Sequence, residues 1–108
     1  MKLLLDESVP KALGFLLEPH HVRTAQAAGF AGLLNGELLA AMKAAGYDLL
    51  ITFDQNLPYQ QNAHLPVGVI VLKAKNNRVE TVVKFAPQIC AALQTGFTQR
   101  LLVLELND

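Results

Sequence analysis

Carboxylate side chains stand directly after two apolar runs of this chain. The run "LLL" at residues 3–5 is followed by Asp6 and Glu7, and the run "LLITF" is followed by Asp54. Like charges brought close together destabilise a fold unless a cation joins them. Oxygen ligands of this kind suit Mg²⁺ or Mn²⁺, which can activate water or orient a phosphate. The pattern indicates a metal site, with helix capping by Asp6 and Asp54 as the alternative interpretation.

Two further acids have weaker signals. Glu37 follows Asn35 by two residues and is expected in the first turn of a helix, where a carboxylate interacts favourably with the helix dipole. Glu7, taken alone, is expected to be a solvated residue of a first turn, although it could also contact a metal ion. Neither residue is assigned to the site by its spacing alone.

The residues after Asp54 are amides and an aromatic residue. Gln55 and Asn56 could contact substrate or hold a ligand water, but the sequence Asn-Leu-Pro is also ordinary loop chemistry. Tyr59 could stack on a nucleobase, with a role as a loop anchor as the alternative.

Basic residues are concentrated in the segment "KAKNNR". Lys73, Lys75 and Arg78 alternate there with Asn76 and Asn77. Near the end of a strand such a segment could bind the phosphates of a nucleic acid. A solvated surface loop is the alternative interpretation.

Four apolar segments and one weaker segment are predicted to be strands, and most of the apolar ones lack the alternation typical of a half-exposed strand. They are residues 2–5, the weaker 21–25, 48–53, 67–72 and 101–106. Continuous apolar runs are typical of parallel sheets that are covered on both faces.

Three segments between the strands are predicted to be helices: residues 9–17, 35–45 and 79–93. Asn35 is expected to be the N-cap of the second helix, and Gly46 is expected to end it. Pro87 is expected to kink or break the third helix.

Alternating strands and helices predict an α/β fold, a three-layer α/β/α sandwich around a central, mainly parallel sheet of four to five strands. In such sheets ligands bind outside the carboxyl ends of the strands. Asp6, Glu7, Asp54 and Lys73 all follow or end predicted strands, so we expect them to converge at one edge.

The composition indicates one globular domain, residues 1–108, with 52% hydrophobic and 17% charged residues. A net charge of zero gives no general attraction to polyanions, so RNA binding would need a local basic patch. Cys90 is the only cysteine, which excludes an intramolecular disulfide and favours a reducing compartment. No apolar run is long enough for a membrane span, and we expect a cytoplasmic protein.

Four stretches resemble the short bacterial PIN-like proteins, domains related to PIN-domain ribonucleases. They are "LLLDESVP", "AGFAGLLNGELL", "LLITFDQNLPYQQN" and "VIVLKAKNNRVE", in order from the start of the chain to Glu80. The resemblance implies a small α/β/α sandwich that binds Mg²⁺ or Mn²⁺ and hydrolyses single-stranded RNA. It also implies a toxin of a toxin–antitoxin pair, neutralised by a small protein and often dimeric.

Carried over by position, the resemblance makes Asp6, Glu37 and Asp54 the metal ligands and catalytic acids. Asn56 stands where the family usually has a fourth acid, and it would act as a neutral ligand or hold a water molecule. Lys73, Lys75, Asn76 and Arg78 would position the phosphate backbone.

Two other classes of protein remain open. A receiver-like phosphoacceptor module also pairs acids after its first strand and carries an aspartate after its third, but Leu72-Lys73 and Leu106-Asn107 stand where a receiver has its Ser or Thr and its Lys. A catalytically weak PIN-like domain would act only by binding another protein.

Overall fold

A computed structural model describes residues 1–57, 65–97 and 100–106. The strands are β1 (Lys2–Leu5), β2 (His21–Thr24), β3 (Leu49–Thr52), β4 (Gly68–Lys73) and β5 (Leu101–Glu105). The α-helices are α1 (Asn35–Ala44), α2 (Val79–Val82) and α3 (Ala86–Gln94), and 3₁₀ helices span Lys11–Leu17 and Val83–Phe85. Within the described ranges no helix is long and apolar enough to cross a membrane.

The five strands form one all-parallel sheet in the order β2-β1-β3-β4-β5. The pairing Leu5 with Ile51 places the carboxyl ends of β1 and β3 side by side. From β1 the chain moves outward to β2 and then returns to β3 on the other side of β1. The strand order therefore reverses between β1 and β3, and this crevice is where α/β sheets of this order bind ligands.

Successive leucines of the central strands enter opposite cores, which explains why the apolar runs do not alternate. Leu3 and Leu5 pack with the first 3₁₀ helix and with α2 and α3, whereas Leu4 packs with α1. All three leucines are at most 1% exposed, and each such side chain contributes roughly 1.5–3 kcal/mol on burial. Helices thus cover both faces, and the predicted three-layer α/β/α sandwich is confirmed.

The helices differ from the prediction at their ends. The segment predicted as a helix over residues 9–17 is a 3₁₀ helix that begins at Lys11. Asn35 is the first residue of α1 and Leu34 is its N-cap, so the predicted cap was wrong by one residue. Gly46 follows the last turn with a φ of +83°, the left-handed conformation that ends helices.

The predicted helix over residues 79–93 is broken, but upstream of its proline. A 3₁₀ turn at Val83–Phe85 separates α2 from α3, and Pro87 lies in the first turn of α3. Proline is tolerated there because the first amides of a helix have no intrahelical acceptor.

Strand β5 is only half buried, because it is the outer strand beyond β4. Leu102 and Leu104 pack on the core formed with α3, whereas Leu101 and Val103 are 40% and 49% exposed. The apolar character of this strand predicted its existence correctly but not its exposure.

Candidate functional site at the carboxyl ends of β1 and β3

Asp6 and Asp54 lie on either side of the crevice where the strand order reverses. Asp6 follows β1 directly, and Asp54 follows β3 after Phe53. The amide of Asp6 donates to the carbonyl oxygen of Ile51 at 3.1 Å, which continues the pairing of the two strands to this point. The parallel sheet therefore brings the two predicted aspartates together.

Asp6 is held by two hydroxyl groups. Its Oδ1 accepts hydrogen bonds from the amide of Ser8, at 2.8 Å, and from the Ser8 hydroxyl. Its Oδ2 accepts a hydrogen bond from the hydroxyl of Thr52, a residue with no exposed surface. Both oxygens of the Asp6 carboxylate are therefore engaged by hydrogen-bond donors.

The same two hydroxyls also accept hydrogen bonds from the exit of β3. Thr52 Oγ1 accepts from the Asp54 amide at 2.9 Å, and Ser8 Oγ accepts from the Phe53 amide at 3.2 Å. The strand ends are thus joined by side chains as well as by the sheet. We refer to Asp6, Ser8, Thr52 and Asp54 as the crevice network.

Sequence reasoning missed Ser8 and Thr52. Both are small hydroxyl residues within two positions of a candidate aspartate, and this was the only signal. Ser8 and Thr52 are far apart in the chain, so their convergence on Asp6 depends on the pairing of β1 with β3.

A cavity of about 360 Å³ opens beside the crevice network. This volume falls within the range of small-molecule sites. Its polar wall is formed by Asp6, Glu7, Ser8 and Asp54. Its apolar wall is formed by Ala25, Phe30, Leu33, Leu34, Leu38, Phe53 and Leu57. We call this space the carboxylate cavity.

Glu7 and Asn56 occupy the periphery of this site. Glu7 is exposed, lines the carboxylate cavity and accepts a hydrogen bond from the Gly32 amide at 3.1 Å. Asn56 is exposed, and its backbone amide donates to Asp54 Oδ1 at 2.9 Å. The contact of Asn56 with Asp54 is therefore made by its backbone.

Glu37 does not join the aspartates. It is exposed in the first turn of α1, and the residues of that region lining the cavity are Leu34 and Leu38. Among the described residues, no group of three acidic, histidine or cysteine side chains is arranged to hold one metal ion. The trio of Asp6, Glu37 and Asp54 is thus not assembled in the structure and stays a prediction.

Part of each aspartate carboxylate is not engaged by the described residues. Asp54 Oδ2 accepts no hydrogen bond from the described residues, and Asp6 accepts three. A carboxylate has about four acceptor positions. Mg²⁺ commonly binds through one or two carboxylates and keeps several water molecules.

The basic loop reaches this site through an asparagine. Lys73 ends β4 and is partly buried, while Lys75 and Arg78 are exposed. Asn77 Nδ2 donates to the carbonyl oxygen of Ser8 at 3.0 Å, so the loop after β4 lies against the residues that follow β1. Asn76 Oδ1 accepts from the Arg78 amide at 3.0 Å and shapes the loop before α2.

Tyr59 lies outside the described residues, so its predicted stacking role stays a prediction.

Comparisons of the chain with family models, with curated proteins and with solved structures found no match. The resemblance to PIN-like proteins also stays a prediction.

Proposed function

We propose that this chain is a metal-dependent ribonuclease that hydrolyses phosphodiester bonds of single-stranded RNA at the crevice between β1 and β3. The observation that supports it is the crevice network, which brings Asp6 and Asp54 together beside an open cavity. The PIN-like stretches of the sequence independently favour the same chemistry.

Asp6 and Asp54 would hold Mg²⁺ or Mn²⁺. When bound, such an ion lowers the pKa of a water molecule and neutralises charge on a phosphate. The hydroxyls of Ser8 and Thr52 orient the Asp6 carboxylate by donating to both of its oxygens. Thr52 also fixes the backbone of Asp54. A site whose ligands are already oriented loses less entropy when it binds the ion.

The basic loop would position the substrate. Lys73 ends β4, the strand next to β3. Lys75 and Arg78 follow it, and Asn77 fixes their loop beside Ser8. Cations beside a carboxylate pair allow the phosphate backbone to bind in spite of the acidic wall. Asn76 contributes by holding the backbone at Arg78.

The biological setting proposed is that of a cytoplasmic toxin neutralised by a small antitoxin protein, with a homodimer as its assembly. This part rests on the PIN-like resemblance. Glu37 is the third acid that the same resemblance adds to the site.

The test is cleavage of a labelled single-stranded RNA with Mn²⁺ or Mg²⁺. Asp54→Asn keeps the side-chain shape and removes the charge, and we expect it to lower the cleavage rate at least about 100-fold, as for other losses of charge stabilisation. The matched control is Asp48→Asn, because Asp48 is an exposed aspartate at the opposite end of β3. Equal rates in wild type and Asp54→Asn would refute the mechanism.

A receiver-like phosphoacceptor is the second candidate, and the strand order of the sheet favours it. The order β2-β1-β3-β4-β5 is the flavodoxin-like order that receivers share. Against it, Lys73 ends β4 where a receiver has a hydroxyl residue. Incubation with acetyl phosphate followed by mass spectrometry separates the two, because only a receiver would form an acyl phosphate on Asp54.

A further inference from the structure

A second depression adjoins the carboxylate cavity on the side of β2. This depression has a volume of about 240 Å³ and shares Asp6, Glu7 and Ala25 with the carboxylate cavity. It adds Lys11 and Gln26, together with Val9 and Thr24. The acidic wall therefore gives way to a lysine within one depression.

A third depression extends this path over the outer edge of the sheet. Its volume is about 400 Å³, and it shares Lys11 and Thr24 with the second. It adds Phe15, His20 and Arg23. The three depressions share wall residues in succession and therefore lie side by side, and we call the part beyond Glu7 the β2 groove.

The β2 groove is basic where the carboxylate cavity is acidic. Lys11 and Arg23 are exposed cations that line it, together with the acid Glu18, and Asp6 and Glu7 border it where it meets the carboxylate cavity. Exposed cations along a path attract the phosphates of a nucleic acid strand. Because net charge is zero, such a local basic path is what RNA binding requires.

Phe15 presents an aromatic ring to this groove. It is 72% exposed, whereas Leu13 and Leu17 of the same 3₁₀ helix are fully buried. Gly14 lets the helix lie close to β2, since a Cβ at this position would stand 3.1 Å from Val22 Cγ1. The helix is thus held by its buried leucines and by Gly14, and Phe15 contributes little to the core.

We propose that single-stranded RNA leaves the crevice along the β2 groove, with its phosphates bound by Lys11 and Arg23 and one base stacked on Phe15. The inference rests on the proposed function, because RNA is the substrate there. Cations combined with an exposed aromatic ring are the means by which proteins bind single strands without reading their sequence. Unstacked bases are needed for such stacking, so a single strand fits this groove and a duplex does not.

The test measures binding of a fluorescein-labelled 12-nucleotide RNA by fluorescence anisotropy, in EDTA so that no metal-dependent cleavage occurs. We expect Lys11→Gln and Arg23→Gln each to weaken binding and to lower the slope of log Kd against log salt by about 0.7. Phe15→Ala should weaken binding at least about fivefold, with little change in that slope.

Matched controls are exposed residues that do not line the groove. Lys43→Gln, in the last turn of α1, controls for the loss of a positive charge, and Leu16→Ala, at 49% exposure, controls for the loss of apolar surface. Circular dichroism of every variant verifies folding. Groove variants that bind RNA like their controls, or wild-type protein that binds no RNA, would overturn the inference.

Cleavage assays on the same proteins separate this inference from the proposed function. Groove-dependent RNA binding without any cleavage would support the β2 groove and count against the ribonuclease. Cleavage at the wild-type kcat/KM in all three groove variants would support the ribonuclease and refute the groove. If Phe15→Ala changes the oligomeric state and leaves RNA binding unchanged, the ring belongs to a protein interface, and the proposed role of the β2 groove is refuted.

Discussion

Asp6 and Asp48 bridge the same two strands at opposite ends of the sheet. At the amino end, the carboxylate of the exposed Asp48 accepts a hydrogen bond from the Lys2 amide at 2.8 Å. At the carboxyl end, Asp6 accepts three hydrogen bonds and lines a cavity. Both aspartates connect β1 with β3, but only Asp6 is part of a side-chain network. The surroundings of an aspartate, more than its place next to a strand, decide whether it can form a site.

Substitutions of Asp48 serve as the control for a general weakening of the β1–β3 pair. A substitution that acts only by weakening this pair should have similar effects at both positions. A substitution that acts on the crevice should affect Asp6 or its partners alone.

The largest expected effect on stability is that of Asp6→Ala. It leaves the buried Thr52 hydroxyl and the Ser8 donors without their acceptor, and each unsatisfied buried group costs about 1–3 kcal/mol. We expect the free energy of unfolding in urea to fall by about 2–4 kcal/mol, against about 1 kcal/mol for Asp48→Ala. Asp6→Asn, which retains an acceptor oxygen, should lose less. Equal losses at Asp6 and Asp48 would contradict the role of the network.

Thr52→Val should have the next largest effect. Valine preserves the shape but removes the oxygen that joins Asp6 to the Asp54 amide, and we expect a loss of about 1–3 kcal/mol. Thr24→Val is the matched control, because the hydroxyl of the half-buried Thr24 accepts one hydrogen bond from the described residues, from the Ala27 amide at 3.0 Å. Both losses in the free energy of unfolding are measured by thermal or urea denaturation, and a smaller loss for Thr52→Val than for Thr24→Val would contradict this expectation.

A smaller effect is expected from Mn²⁺. A ligand that binds only the folded state at ten times its Kd adds about 1.4 kcal/mol of stability, which raises the Tm by several degrees in a domain of this size. Differential scanning fluorimetry should show this shift in wild type and in Asp48→Asn but not in Asp54→Asn. A shift of the same size in all three proteins would place the ion elsewhere.

Glu37→Gln should have the smallest effect. Glu37 is exposed and lies off the carboxylate cavity, so only its favourable interaction with the α1 dipole is lost, about 0.5 kcal/mol. The Mn²⁺-dependent rise in Tm should persist. Its loss would show instead that Glu37 reaches the ion when metal binds, as the PIN-like resemblance implies.

The strands and the two aspartates could be predicted because they depend on local sequence. Continuous apolar runs such as residues 3–5 are required by burial on both faces, and parallel strands necessarily bring Asp6 and Asp54 to one edge. The cap of α1 was misplaced because Leu34 and Asn35 differ by one step along the helix, which no periodicity resolves. The sequence also does not fix where the helix predicted over residues 79–93 breaks, because a proline such as Pro87 is compatible both with a break and with the first turn of a helix.

The network and the groove could not be predicted, because they depend on tertiary packing. Thr52 contacts Asp6 only through the register of β1 and β3. The 3₁₀ helix exposes Phe15 because Leu13 and Leu17 are fixed in the core. Nothing in the local sequence of Glu37 shows that it lies off the cavity, since a first-turn acid is compatible with either position.

The pairing of β1 with β3 also joins segments that are distant in the chain. Leu3 pairs with Leu49, so the central strands meet only after the whole of β2 and α1 has been enclosed in a loop. Contacts between such distant segments form slowly, because the entropy of loop closure is lost before they stabilise the chain. The crevice network cannot form before this step. Any activity of the crevice is therefore confined to chains in which β1 and β3 have paired, and a nascent chain that has not reached β3 is expected to be inert.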